Sequence, residues 1–283
     1  MSTHTGEERS REVIHTSEPR DWRRAVPDAV VDIVSSRELL WSLTERQLRL
    51  RAKRAWIGSV WPLLAPLFLL GLYVFVFQHV FKTPIPHYSL FLFAGLLPWS
   101  FLALCLGEAV TRLSAEPELI RRARFPYEFL PIASVLSLGM YFLTTLTGFV
   151  VYLGFAGYLN LMLVPVLVLP VASLLLLVIS LALLLSLIDV YNRDLRAVLG
   201  NLLTLWFFLV PIVYRQAMAG RELSVLQSID PMNITVGQFR DILLFGNISH
   251  PGHFALMLAL SAAMFVLSLA IFRRFAHELP KNV

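Results

Sequence analysis

The chain of 283 residues is 57% hydrophobic and 15% charged, with a mean hydropathy of +0.69, a balance that excludes a water-soluble domain with a polar surface. Its net charge of +5 comes from basic residues placed beside apolar blocks, not from one basic stripe with interleaved aromatics, which argues against nucleic-acid binding. The single cysteine, Cys105, can form no internal disulfide.

Residues 1–35 are polar and lack the apolar stretch of a cleavable signal, so a disordered cytoplasmic tail is expected, with the first apolar block directing insertion. Residues 36–55 follow as an amphipathic helix. Ser35 and Glu38 have capping-box spacing; Leu39, Leu40, Leu43 and Leu50 share one side, and Glu38, Glu45, Arg49 and Lys53 the other. Such a helix suits the cytoplasmic membrane surface. The alternative is a solvated charged helix, which would leave Trp41 and the leucines in water.

Six apolar blocks then reach the length of about 20 helical residues that a bilayer requires. They run from Trp56 to Val80, Leu90 to Ala109, Leu130 to Gly157, Leu161 to Ile188, Leu195 to Val213 and Phe254 to Phe272. Together they predict an all-α membrane domain over 56–276 with a short cytoplasmic tail, 277–283. The third and fourth blocks are parted only by Tyr158, Leu159 and Asn160, which predicts a tight hairpin. Lys and Arg collect at one set of block ends, whereas the other set holds only Lys82, Arg215, Arg221 and Arg240. An even number of spans with this asymmetry places both termini in the cytoplasm.

No Asp, Glu, Lys, Arg or His lies in the middle of any block, where ion- or proton-coupled transporters carry their functional charges. The seven histidines are scattered near ends and loops, and no carboxylate pair suggests an active site, so the chain is not expected to be an enzyme. Asp189 and Asp194, beside Arg193 and Arg196, read as ion-paired structure at a helix break. No glycine is followed by lysine, so a phosphate-binding loop is absent and a driving force must come from another chain.

Two connections are unlike linkers. In EPELIRRARFPYEFLP, Pro117 suits a first helical turn, Glu116 and Glu118 its positive end, and Arg121, Arg122 and Arg124 its negative end, before Pro126 stops it. A positive-inside loop needs basic charge but not a capped helix closed by Phe125, Pro126 and Tyr127. A helix at 116–125 that docks a cytoplasmic partner through exposed aromatics and arginines is therefore expected. Outside, a short apolar run from Leu223 to Ile229 is broken by Asp230-Pro231, and Met232, Val236, Phe239 and Leu243 then share one helical face. Two short interfacial or re-entrant helices within 222–245 follow.

With these motifs in order, the chain from about Arg37 onward resembles the transmembrane subunit of type-2 ABC polysaccharide exporters. The resemblance is carried by WIGSVWPLLAPL, FLFAGLLPWSFLA, RRARFP, VYNRDLRAVLGN, VPIVY and DPMNITVGQFRDILLFG. It implies a bacterial inner-membrane homodimer bound to two ATPase subunits that carry MgATP, with no cofactor in this chain and a lipid-linked glycan as cargo. It also implies a coupling helix around Glu116 to Arg124 and an external gate including Phe239 and Arg240. The family's usual Asn-Pro before the gate helix reads Asp230-Pro231 here.

A glycan path calls for aromatic faces and hydroxyl or amide groups, not midplane ions. The first block offers Trp61, Phe68 and Phe75 at seven-residue spacing, with Tyr73 beside them; the fifth offers Asn201, Thr204, Trp206, Phe207 and Phe208. An aromatic in a span serves equally well as a lipid-facing anchor. The resemblance, in which the first and fifth spans line the channel, favours the lining role. Two other readings share the six-span plan: an exporter of small lipids or drugs, and a membrane subunit of a cell-envelope glycosyltransferase complex. The latter would need acidic residues gathered beside the membrane for a metal-diphosphate donor, and none gather.

Overall fold

The computed structural model describes residues 31–32, 35–53, 64, 67–76, 85–122, 125–215 and 221–279. Among them the secondary structure is helical, with no strand. The elements are α1 (Arg37–Lys53), α2 (Tyr88–Ala109), α3 (Pro117–Arg122), α4 (Phe129–Phe155), α5 (Val168–Tyr191), α6 (Leu195–Leu209), α7 (Arg221–Ile229), α8 (Pro231–Arg240) and α9 (Pro251–Phe275). A 3₁₀ segment, Leu161–Leu167, leads into α5, and a π turn, Asp241–Phe245, follows α8.

Among the described residues four helical segments are long and apolar enough to cross a membrane: Tyr88–Ala109, Phe129–Phe155, Leu161–Tyr191 and Pro251–Phe275. They correspond to the second, third, fourth and sixth apolar blocks. The fifth block is shorter than expected. Its helix α6 has 15 residues and stops at Leu209, because the next positions turn out of helical geometry at Val210 and Pro211 brings no N–H. Of the first block only residue 64 and the helical stretch 67–76 are described, so the expected span from Trp56 to Val80, and with it Trp61, lies largely outside the described residues.

At the centre sits α2, buried around most of its circumference and packed against α4, α5 and α8. In lipid, helices gain little from apolar burial alone, so close approach and hydrogen bonding must hold them together. Small side chains provide that approach: Ser134 and Ser137 on α4, Ser173, Ser180 and Ser186 on α5, and Ser261 and Ser268 on α9 are all buried. Several of their hydroxyls donate within their own helix, as Ser180 does to Leu176 at 2.6 Å and Ser186 to Leu183 at 3.0 Å, so burial strands no donor there.

The expected hairpin corner forms between α4 and the 3₁₀ segment. Gly157 takes a φ of 76°, a conformation glycine adopts without steric cost, and the Tyr158 N–H closes the turn on the Leu153 carbonyl at 3.0 Å. Asn160 then caps the 3₁₀ segment by accepting from the Met162 N–H.

One expectation for α1 is corrected. The Ser35 hydroxyl donates backward to the Asp32 carbonyl at 3.3 Å instead of capping forward, since helical backbone bonding already runs from Asp32 to Ser36 and on to Leu40. The side of α1 turned toward α4 carries Leu40, Thr44, Gln47 and Arg51. Leu39, Trp41 and Leu50 stay exposed. Thr44 can be buried because its hydroxyl donates to Leu40, and Arg51 because it is paired with Glu108.

Candidate functional site

At the end of α2 nearest the start of α4, the helix unwinds after Ala109 into turns that lead to α3, anchored by the buried side chains of Leu113 and Ile120. Glu116 precedes Pro117, the first residue of α3, and accepts from Arg112 and, across the fold, from Arg46 of α1, each at 2.8 Å. Burial acts to raise the Glu116 carboxyl, but the two guanidinium partners outweigh it and hold the group below its ordinary range. Glu118 points outward and is exposed. Phe125 and Tyr127 pack edge to face at 5.5 Å and are half-buried, not exposed as the sequence suggested. The reason is that the Tyr127 hydroxyl donates to the Ile120 carbonyl at 3.2 Å, folding the end of the loop back on α3. Arg121 and Arg122 occupy the last turn of α3, but their side chains, and the whole of Arg124, lie outside the described residues.

Further ion pairs fasten this side. Arg51 binds Glu108, which also accepts from Ser134 of α4. Arg273 at the end of α9 binds Glu128 at 2.6 Å and Asp32 at 2.8 Å. Asp189, at the last turn of α5, is fully buried and pairs with Arg196 of α6, at 2.6 Å from Nε, while accepting from Ser114 at 2.8 Å. Asp194 is exposed. Among the described residues no group of three or more His, Cys, Asp or Glu could hold a metal ion.

In the apolar middle, the candidate lining residues fall on two faces. Tyr73 stacks on Phe207 at 5.5 Å, and both Phe207 and Trp206 lean on Trp99 of α2, at 5.5 and 5.7 Å. These rings join the stretch 67–76, α6 and α2. Phe68, Phe75, Asn201, Thr204 and Phe208 instead point away from the body of the chain, Phe68 being 73% exposed, alongside Leu72, Leu202 and Leu205. Trp99 was missed in the sequence, although it lies in the quoted FLFAGLLPWSFLA.

At the opposite end of the bundle, the break after α6 leaves a run of carbonyls without helical partners, and side chains from elsewhere take them. Tyr214 donates to Phe208 at 2.9 Å, Gln227 of α7 to Leu209 at 2.9 Å, and Tyr88 of α2 to Val213 at 3.0 Å. Arg240, at the end of α8 and fully buried, donates to Pro211 and Ile212, each at 2.7 Å, and to Phe91 of α2 at 3.2 Å, with its guanidinium 3.6 Å over the Phe91 ring. A buried cation is tolerated when carbonyl dipoles surround it.

Helix α8 and the π turn after it bury the face foreseen in the sequence, Met232, Val236, Phe239 and Leu243, and Phe239 meets Phe142 of α4 edge to face at 6.2 Å. The N-terminus of α8 shows why Asp can stand where Asn is usual. Asp230 caps α8 by accepting from the Met232 N–H on Oδ1 and the Asn233 N–H on Oδ2, at 3.2 and 3.3 Å, and Oδ1 also accepts from the Trp206 indole N–H at 3.0 Å. Burial pushes the Asp230 carboxyl up, against these hydrogen bonds, which favour its charged form.

No family model matches the chain. Curated relatives do. The chain is 30% identical over 258 residues to the O-antigen export system permease protein RfbA of Myxococcus xanthus, covering 90% of this chain and 98% of the relative. Two proteins of the same name from Klebsiella pneumoniae are 25% and 24% identical, each over 85% of this chain and 93% of their own length. With its apolar helices and this near-complete overlap at 30% identity, the chain belongs to the family of O-antigen export system permease proteins.

Proposed function

We propose that the chain is the membrane-spanning subunit of an ATP-driven exporter that moves a lipid-linked polysaccharide across the bacterial inner membrane. Two copies form the channel and two ATPase chains drive it. The observation that carries this reading is the similarity to the Myxococcus xanthus export permease along almost the whole of both chains. In it, six spans place both termini in the cytoplasm, the stretch 67–76 and the short α6 being parts of the first and fifth.

The geometry supports three finer assignments. The α3 loop is braced from two sides through Glu116 and presents Glu118 outward, a form suited to receiving a docked ATPase. A loose loop would absorb an imposed rotation; a braced one transmits it. The outward face of the stretch 67–76 and α6 is apolar with interspersed Asn201 and Thr204, and pairing two such faces would build an aromatic, hydroxyl-bearing path. Helices α7 and α8, with Phe239 and Arg240 at their root, are the elements that would serve as the external gate.

Co-purification with the cognate ATPase tests the reading, followed by transport of a lipid-linked glycan into inverted vesicles. Glu118→Ala, Arg122→Ala and Phe125→Ala should weaken ATPase association or separate hydrolysis from export while insertion and dimerisation persist, because no span is altered. Normal binding and coupling in all three would leave the arginine-rich loop as a topology signal alone.

A further inference from the structure

The loop before α3, the last turn of α5 and the start of α6 meet at the buried Asp189 carboxylate. From the loop before α3, the Ser114 hydroxyl lies 2.8 Å from Asp189 Oδ2. From α6, Arg196 Nε donates to Oδ1 at 2.6 Å and Nη2 to Oδ2 at 2.7 Å, a fork matched to both oxygens. The same Nη2 reaches Ser114 Oγ at 2.6 Å, which closes a triangle. Asp189 itself has no exposed surface, so its two oxygens answer to these partners and not to bulk water.

The placement matters more than the strength. The α3 loop continues covalently into α2 and α4, and α6 begins more than seventy residues later along the chain. Arg196 is the second residue of α6 and sits on the same helix as Asn201 and Thr204, whose side chains face outward. A displacement of the loop therefore reaches the start of α6 through Ser114 and Asp189 without passing along the intervening spans.

We propose that Ser114, Asp189 and Arg196 form a relay that passes movement of the α3 loop directly into α6, making Asp189 and Arg196 positioning residues for export. The proposal rests on the reading of the α3 loop as the ATPase docking site. The relay works through the Arg196 fork, so a lysine, with one point charge, does not replace it.

The test uses the full chain in complex with its ATPase, carrying Cys105→Ala and a reporter, Leu205→Cys, on the outward face of α6. Maleimide labelling is timed in the nucleotide-free and the vanadate-trapped complex. The parent should label at different rates in the two states. Ser114→Ala and Arg196→Lys should shrink that difference by about fivefold or more, the lower end of ordinary allosteric coupling, while the ATPase still co-purifies and still traps nucleotide. A brace that only stabilises the helix break would lower thermal stability and leave the labelling difference intact, which overturns the relay. The relay is equally overturned if the parent shows no difference between states, or if the two variants lose the ATPase. Glu118→Ala and Phe125→Ala, assayed alongside for ATPase co-purification, report separately on the docking site, so its failure is not confused with failure of the relay.

Discussion

Trp206 donates its indole N–H to the Asp230 carboxylate at 3.0 Å, joining the short apolar helix α6 to the N-terminus of α8. One carboxylate thus serves as a helix cap and as the acceptor for a half-buried ring. Asp230→Asn keeps the oxygen that accepts from Trp206 and Met232 but turns an amide NH2 toward the Asn233 N–H, so a small fall in the thermal midpoint is expected. Asp230→Ala removes both acceptor oxygens; losing a cap costs about 1 kcal/mol, and a stranded buried donor adds about 1–3 kcal/mol. Thermal unfolding of the purified protein in detergent should rank parent, Asn and Ala in that order. Equal midpoints for Asn and Ala would show the contact to be incidental.

Gly95 leaves the space that the Arg240 guanidinium fills. A Cβ at this position would stand 2.7 Å from Arg240 Nη2, and that group is held by carbonyls and cannot swing aside freely. Gly95→Ala should lower the yield of monodisperse protein. In an Arg240→Met background the same change should cost much less, because the clash is gone. Additive effects in the double variant would refute the shared site.

The two faces of the aromatic set make opposite predictions. Trp206→Ala and Phe207→Ala remove packing against Trp99 and Tyr73, and truncating a buried aromatic costs about 3–5 kcal/mol, so folded yield should fall. Phe68→Ala and Phe75→Ala truncate rings that are largely exposed among the described residues, so yield should hold while glycan export declines. Export at parental rates from both outward variants would assign those rings to lipid.

Glu116 gives a pH dependence of known sign. Its carboxyl is held below the ordinary value of 4.5, so its contribution is fully present above that value and is lost as pH falls through the lowered one. The gap in thermal stability between parent and Glu116→Gln should stay constant from pH 8 to about 5, then close on further acidification. A gap that closes near neutrality would point to another titrating group.

Topology is open to direct chemistry. In a Cys105→Ala background, Ser17→Cys and Asn282→Cys should resist an impermeant thiol reagent applied outside intact cells, whereas Ser224→Cys should react. Labelling at either terminus would invert the proposed orientation.

Hydrophobic runs carried most of the architecture into plain view, because a stretch such as Leu161–Tyr191 has no alternative to a helix in lipid. The face of α8 was equally legible, since Met232, Val236, Phe239 and Leu243 repeat at helical spacing. The inward side of α1 was not. Gln47 and Arg51 look solvent-bound in one dimension, and only the arrival of Glu108 from α2 makes the burial of Arg51 affordable. Similarly, the arginines that count toward topology, Arg46, Arg112, Arg196 and Arg273, prove also to hold carboxylates distant in sequence or a turn away. Charge counting records their number but not their partners. Trp99 escaped notice because its value lies in the rings it meets from α6, which no spacing within α2 reveals.

The carbonyl cage around Arg240 sets an order of assembly. Its acceptors come from Phe91, near the start of α2, and from Pro211 and Ile212, just past α6. The arginine leaves the ribosome after all three. In the proposed orientation, until they are in place on the far side of the bilayer, no site exists in which a guanidinium could shed its water. Helix α8 must therefore cross as a hydrated segment and seat itself afterwards, a late step in biogenesis that pulse-labelled chains should register as a delay between insertion of α6 and protection of the external segment from added protease.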